Sequence, residues 1–195
     1  MKNSIKMKKI ASTTFVVMLM ILATNGYAKN LIGVYLTATD YSNKKQSFKT
    51  DSKIHLNNSL YTLPYITVIE KGKKIRLNKS DLYGYTSNDK DVFRFYKNDK
   101  YKISETGNVI IYTQLELISK SKGQEIQVMK HYFFSVTPTG EIFTLTLENL
   151  KNAYNGNDKL IDQFDQFFSG RDVTAYDSKH SMYKVNYVIS KTIKQ

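Results

Sequence analysis

Residues 109–136 read VIIYTQLELISKSKGQEIQVMKHYFFSV, and this stretch decides the fold. The segments Val109–Ile118 and Ile126–Val136 alternate apolar and polar side chains with the period of a β-strand. One side of the first strand carries Val109, Ile111, Thr113, Leu115 and Leu117. The link Ser121–Gln124 is rich in turn-forming residues and is too short for a crossover between parallel strands. The stretch therefore predicts a long antiparallel hairpin.

Shorter strands precede this hairpin. Leu31–Thr39 predicts a strand in which Ile32, Val34, Leu36 and Ala38 face one way, and the turn formers of Asp40–Asn43 end it. Phe48 and Ile54–Leu56 belong to lysine-rich strands of the kind found near a sheet edge.

Turn chemistry fixes the register of the next hairpin. With Lys71-Gly72 at the centre of the turn, Val68 pairs with Ile75 and Ile66 pairs with Leu77. All four apolar side chains then share one face, so turn and pattern agree.

Aromatic residues dominate the following strands, Leu82–Thr86 and Val92–Tyr96. Tyr83 and Tyr85 are two residues apart and predict a shared strand face, as do Phe93 and Phe95. A two-residue turn at Asn98-Asp99 would pair Tyr96 with Tyr101.

After residue 136 the pattern changes from strand to helix. Thr137–Gly140 predicts a turn into a last strand, Glu141–Leu145. Thr146 can cap a short helix that ends at Asn155-Gly156. Asn157 or Asp158 caps a second helix, whose apolar stripe consists of Leu160, Ile161, Phe164, Phe167 and Phe168. A third helix is predicted to begin near Asp177-Ser178, with Met182, Val185, Ile189 and Ile193 on one side.

The order of elements predicts the fold class. Strands followed by helices indicate an α+β protein: an antiparallel meander of about eight strands, with partial closure into a barrel left open, and two or three C-terminal helices packed on it. No long linker separates these elements, so residues 29–195 are predicted to form a single domain.

The first 28 residues predict a secretory signal peptide. Lys2, Lys6, Lys8 and Lys9 precede a largely apolar run, Ile10–Ala23, and Gly26-Tyr27-Ala28 offers small residues at the −3 and −1 positions of a cut before Lys29. The apolar run is shorter than the ~20 residues that span a bilayer. We therefore expect a periplasmic or extracellular protein without stable membrane insertion after cleavage.

Composition narrows the classes of function. The 195 residues include no cysteine, which excludes disulfides, thiolate metal sites and cysteine nucleophiles. The net charge of +12 becomes +8 for residues 29–195, since four lysines and no acids leave with the signal peptide. A positive chain favours anionic partners. The cations are dispersed in ones and twos, however, which favours a solvated surface as the explanation.

Candidate catalytic groups are few. His55, His131 and His180 form no metal-binding pair, and no cofactor or metal site is predicted. His180 lies in Asp177-Ser178-Lys179-His180-Ser181, a cluster that is more typical of capping than of nucleophilic catalysis. Asp162 and Asp165 lie three residues apart on the polar side of the second helix, as expected for a solvated face.

The aromatic residues are the candidate binding residues: Tyr83, Tyr85, Phe93, Phe95, Tyr96 and Tyr101. Exposed, they would form a stacking platform for sugar rings or extended peptides; buried, they would be cross-strand core pairs. Such pairs in the core are the commoner outcome, since the inner face of a covered sheet needs large side chains.

Three segments carry a family resemblance: Gly33–Ala38, Asp81–Tyr85 and Tyr176–Tyr187. The chain resembles a family of exported bacterial proteins of unknown function. That resemblance implies export and a single domain but no activity, and it brings no catalytic residues.

Three hypotheses for function follow. The first is an exported, non-enzymatic binding or envelope-associated protein for an anionic polysaccharide or other glycan, with nucleic acid disfavoured. The second is a hydrolase of envelope polymer or peptide, which needs His131 or His180 within ~3 Å of a carboxylate or hydroxyl in a cleft. The third is a carrier of apolar ligands in a barrel-like cavity.

Overall fold

The computed structural model describes residues 32–50, 63–87, 89–118 and 127–193. The predicted signal peptide, His55 and the predicted strand Ile54–Leu56 lie outside these residues. The strands are β1 (Ile32–Tyr35), β2 (Phe48–Thr50), β3 (Tyr65–Glu70), β4 (Lys73–Asn78), β5 (Gly84–Thr86), β6 (Val92–Tyr96), β7 (Asp99–Thr106), β8 (Ile110–Ile118), β9 (Gln127–Ser135), β10 (Phe143–Thr144), β11 (Tyr176–Asp177) and β12 (Met182–Tyr183). The helices are α1 (Ala38–Ser42), α2 (Leu147–Ala153), α3 (Asp158–Phe168) and α4 (Lys184–Ile193).

One antiparallel sheet organises the molecule. Its strand order is β10-β9-β8-β7-β6-β5-β1-β2, so strands β5 to β10 form a meander and β1 joins the outer side of β5. The described strands leave this sheet open, with β10 and β2 at its edges. The α+β prediction is confirmed, and the partial barrel that it left open is not formed by these strands.

The β3–β4 hairpin has the register that the sequence indicates. Val68 pairs with Ile75 and Ile66 pairs with Leu77. Lys71 and Gly72 have φ values of 49° and 78°, as a two-residue turn with the twist of a hairpin requires. This hairpin is a separate two-stranded sheet and not part of the meander.

The first predicted strand is too long. β1 ends at Tyr35, and α1 begins three residues later. A capping box explains the change, since the Thr37 hydroxyl accepts a hydrogen bond from the Asp40 amide (3.0 Å) and the Asp40 carboxylate accepts one from the Thr37 amide (3.1 Å). The predicted turn at Asp40–Asn43 is therefore largely helical.

The predicted pairing of Tyr96 with Tyr101 is wrong by two residues. Tyr96 pairs with Asp99, and Tyr101 pairs with Arg94, because the turn residues with positive φ are Lys97 (49°) and Asn98 (69°). A shift of two residues keeps every side chain on its own face, so Tyr96 and Tyr101 still meet diagonally, with ring centroids 6.5 Å apart.

The C-terminal helices cover one end of the sheet. Val109, Ile111 and Phe134 from the sheet pack in one buried cluster with residues of the helices, namely Leu150, Leu160, Phe164, Phe168, Val185, Val188 and Ile189. The β3–β4 hairpin covers another part, where its Ile66 and Val68 pack with Val34, Tyr85 and Phe95. Cross-strand pairing runs from Val34 to Tyr85, Phe93, Lys102 and Thr113, and Thr113 is two residues from Ile111 on β8. Strand alternation therefore puts both clusters on the same side of the sheet, called here the core face.

The third predicted helix begins later than expected. Asp177 pairs with Met182 in the β11–β12 hairpin, and α4 starts only at Lys184. Asn186 then fixes the helix to the sheet. Its side-chain oxygen accepts a hydrogen bond from the Val109 backbone N–H (2.8 Å). Its side-chain nitrogen donates to the Val109 carbonyl (3.0 Å) and to the Glu105 carboxylate (2.5 Å).

Candidate ligand-binding face

The side of the sheet opposite the core face carries a layer of aromatic rings, called here the aromatic face. Strand pairing places Arg94 beside Tyr101 and places Tyr112 beside Phe133 on this side. Edge-to-face ring contacts join Tyr101 to Tyr96 (6.5 Å), Tyr112 (6.2 Å) and Phe133 (5.1 Å). The rings form a continuous surface and not isolated pairs.

The layer extends to the first strand through Tyr83. Its ring stacks on Tyr41 of α1 at 5.3 Å, and Tyr41 in turn meets Tyr35 edge-on at 5.6 Å. Tyr35 and Tyr83 are buried, whereas Tyr41, Tyr96, Tyr101 and Phe133 are half-buried. The exposed parts of these four side chains are available to a ligand.

The predicted aromatic set is divided between the two faces. Tyr85 stacks on Phe93 (5.0 Å) and Phe95 (5.5 Å) at the core face, so Phe93 and Phe95 do share a face. The prediction that Tyr83 shares a face with Tyr85 is wrong. The backbone is irregular at this point: the Tyr83 amide donates to the carbonyls of both Tyr35 and Leu36, and a Cβ on Gly84 would overlap the Phe93 carbonyl oxygen. Tyr83 is thereby turned towards Arg94.

Arg94 is the centre of the aromatic face. Only 4% of its surface is exposed, and its guanidinium lies 5.5 to 5.8 Å from the ring centroids of Tyr83, Tyr96 and Tyr112. Attraction between a cation and the faces of aromatic rings offsets part of its desolvation. Among the described residues, no carboxylate forms an ion pair with this buried charge.

Arg94 donates hydrogen bonds to three neutral acceptors. It donates to the Tyr112 hydroxyl (2.9 Å), the Ser135 hydroxyl (3.3 Å) and the Gly140 carbonyl (2.6 Å). Ser135 donates its own proton to the Thr137 carbonyl at 2.8 Å, so the Tyr112 hydroxyl must donate to Ser135 at 2.9 Å. The hydrogen bonds therefore run in one direction, from the guanidinium to the loop after β9.

One polar group of the cluster has no partner. The Tyr83 hydroxyl is fully buried and makes no hydrogen bond. Burial raises the pKa of this phenol, and the neighbouring Arg94 charge opposes that shift. The hydroxyl is thus a neutral donor whose hydrogen bond is unused.

A carboxylate is already held at the rim of the aromatic face. Lys97 Nζ lies 3.2 Å from a carboxylate oxygen of Glu141. The hydrogen bond from Lys97, followed by the influence of the neighbouring Tyr96 side chain, lowers the pKa of Glu141.

Comparison of the chain with protein-family models, with curated proteins and with solved structures gives no significant match. The site is therefore characterised by its own geometry alone.

Both described histidines pair with a carboxylate. His131 Nε2 lies 2.8 Å from Glu116, and His180 Nδ1 lies 2.8 Å from Asp177. Asp177 also accepts from the backbone amides of Lys179 and His180, which agrees with the predicted capping role. Neither pair is deeply buried, and the described structure gives no hydrogen bond from either imidazole to a serine or threonine hydroxyl.

The described residues also contain neither a cluster of metal ligands nor a membrane-spanning helix. Among the described residues, no three histidine or carboxylate side chains cluster as metal ligands. Asp165 pairs with Lys151 at 2.6 Å, and Asp162 is exposed on α3. None of the helices in the described ranges is long and apolar enough to cross a bilayer.

Sequence reasoning missed Arg94, Tyr112 and Ser135, which carry the polar part of the site. A signal was present, since the chain has 26 lysines but only three arginines, and one of these stands between two phenylalanines in a strand. Arginine suits a buried, ring-stacked position better than lysine does.

Proposed function

We propose that the protein is an exported, non-enzymatic binding protein that recognises an anionic polysaccharide or other glycan at the aromatic face. The observation that carries the proposal is the layer of half-buried rings, Tyr41, Tyr96, Tyr101 and Phe133, around a buried arginine. Export is supported by the sequence of residues 1–28 and by no structural feature.

The chemistry of the rings supports a sugar ligand. Tyrosine combines a large apolar ring with a polar hydroxyl, so a tyrosine surface can contact the apolar face of a sugar ring and hydrogen-bond its hydroxyl groups. The ring-to-ring contacts of Tyr101 hold its side chain in place, which lowers the entropy cost of binding.

Charge supports an anionic ligand. Residues 29–195 carry a net charge of +8, and Lys97 stands beside the Tyr96 ring with its ammonium group 5.1 Å from the centroid. Positive surfaces attract anions over a range set by the ionic strength.

Binding to immobilised polysaccharides at physiological salt tests the proposal. We expect saturable binding by the full chain and a loss in Tyr101→Ala of about 1–3 kcal/mol, the magnitude measured for one stacked ring on a nucleobase. Tyr176→Ala is the matched control, because Tyr176 is 52% exposed on the separate β11–β12 hairpin. Equal binding by the two variants, or binding to single-stranded DNA alone, would contradict the proposal.

A hydrolase is the second candidate, and His180 favours it. Asp177 holds Nδ1 of this imidazole, and the ring stacks on Tyr187 at 4.2 Å, so its orientation is fixed as in a general base. Release of reducing ends or peptides by the full chain, lost in His180→Asn, would support this function. An apolar carrier is less favoured, since the described strands form an open sheet.

A further inference from the structure

We infer that Arg94 anchors a carboxylate group of the ligand, so that the protein selects acidic over neutral sugars. The inference rests on the proposed function and adds the chemical class that this same site prefers. It follows from the charge balance of the cluster, from an unused donor beside it and from a carboxylate already bound at its rim.

The charge balance is the first step. A buried arginine is ordinarily paired with an anion, because an uncompensated buried charge is costly. Arg94 is 4% exposed, and its three hydrogen-bond acceptors are all neutral. A ligand carboxylate would supply the missing negative charge and could accept two parallel hydrogen bonds from the guanidinium.

The position of the acceptors is the second step. Tyr112 and Ser135 lie in strands β8 and β9, whereas Gly140 lies in the loop between β9 and β10. The Gly140 carbonyl is therefore the acceptor that a ligand can replace without disturbing the sheet.

The unused donor is the third step. Tyr83 is 7% exposed, its ring lies 5.8 Å from the Arg94 guanidinium, and its hydroxyl has no partner. A buried donor left unpaired costs stability, and an acceptor delivered by a ligand would remove that cost.

The rim provides the fourth step. Lys97 already pairs with the carboxylate of Glu141 at 3.2 Å, and Glu141 directly follows Gly140 in the loop. A carboxylate is thus held one residue away from the carbonyl that accepts a hydrogen bond from Arg94.

Oligogalacturonate and its methyl ester test the inference, because they share ring and linkage and differ in charge. We expect the full chain to bind the acid about tenfold or more tightly than the ester, as the loss of a hydrogen bond to a charged group implies. In Arg94→Lys this preference should fall to within about threefold, since lysine lacks the planar fork that binds a carboxylate in two places.

Tyr83→Phe keeps the test decisive if Arg94→Lys does not fold. The substitution removes a hydroxyl that makes no hydrogen bond in the free protein, so the melting temperature should not fall. Affinity for oligogalacturonate should fall by about threefold to tenfold, in the range of one hydrogen bond. A purely structural tyrosine would leave that affinity unchanged.

The outcomes separate the two proposals. Equal binding of acid and ester overturns the inference and leaves the glycan-binding function standing. A preference for the acid over the ester that persists in the folded Arg94→Lys and Tyr83→Phe variants also overturns the inference. Failure to bind either oligosaccharide, or any other polysaccharide, overturns both.

Discussion

Ser135 links the buried charge to the loop that covers it. Its hydroxyl accepts from Arg94 and Tyr112 and donates to the Thr137 carbonyl, so every hydrogen-bonding position of this side chain is used. Strands β6 and β8 supply the first two contacts, and the turn after β9 supplies the third. One fully buried serine therefore sets where the loop begins.

Ser135→Ala should lower the free energy of unfolding by about 1–3 kcal/mol, because it leaves a buried donor of Tyr112 without its acceptor. Ser47→Ala is the control, since Ser47 is exposed, and it should change stability by less than about 0.5 kcal/mol. Urea unfolding followed by circular dichroism measures both. Equal stability of the two variants would show that the hydroxyl chain contributes nothing.

Asp177 has a lowered pKa, chiefly because the His180 side chain hydrogen-bonds its carboxylate. A depressed folded-state pKa means that the pair stabilises the protein above the unfolded-state pKa and loses this effect as the pH falls through the folded-state value. In His180→Ala the pKa of Asp177 should rise towards about 3.9, the ordinary value. Carboxyl-carbon NMR titration measures the change, and an unaltered midpoint would contradict the assigned cause.

At the scale of elements, β8 contains two environments on one face. Ile111 is fully buried beneath the helices, whereas Leu115 and Leu117, further along the same face, are 69% and 68% exposed. Val128, which pairs with Leu117 on β9, is 60% exposed. The far halves of β8 and β9 therefore extend beyond the helical layer.

Ile111→Ala should cost about 2–5 kcal/mol of stability, whereas Leu117→Ala should cost less than about 0.5 kcal/mol. The two substitutions remove similar aliphatic groups from the same strand face, so burial is the variable that differs. Thermal and urea unfolding compare them directly. A large loss in Leu117→Ala would mean that this leucine is covered in solution.

Sequence predicts the elements of this protein well where a pattern and a turn agree. Three predictions are confirmed because the period and the turn or capping residues indicate the same element. They are the β3–β4 register, the strand Val92–Tyr96 and the second helix with its apolar stripe. The hydrophobic period did not predict α1, because the four residues after Tyr35 alternate apolar and polar side chains like a strand. The helix instead begins at the capping box that Thr37 and Asp40 form. Local hydrogen bonding outweighed the apolar pattern there.

The candidate site was harder to predict than the elements. Tyr85, Phe93 and Phe95, half of the six candidate aromatic residues, lie at the core face, and a strand pattern cannot show which face the helices will cover. The irregular backbone at Gly84 turned Tyr83 to the opposite side from Tyr85. Ser135 lies 41 residues from Arg94, so no local pattern joins them.

At the scale of the whole molecule, the two packing layers lie on one side of the main sheet. The helices and the β3–β4 hairpin cover separate parts of the core face, each with its own buried cluster. On the aromatic face, the described residues that pack against the sheet include those of the short helix α1 and of the loop after β9, which supplies the Gly140 contact. The two buried clusters are thus confined to the core face.

Export is predicted from residues 1–28, and the prediction is tested on the whole chain. Expressed in a bacterium, the full chain should be processed to begin at Lys29, and mass spectrometry of the extracytoplasmic fraction measures this. Ala28→Arg should block processing, because the cleavage site requires a small residue there. Thr24→Ser is the control; an unprocessed wild-type chain in the cytosol would contradict the prediction.

The order of strands in the sheet has a consequence for how the chain assembles. Each strand from β5 to β9 pairs with the one that follows it, so these contacts close short loops and form rapidly. β1 and β2 precede these strands in the chain, yet β1 pairs with β5, which begins about 50 residues later. The N-terminal edge of the sheet can therefore join the meander only after β5 has been synthesised.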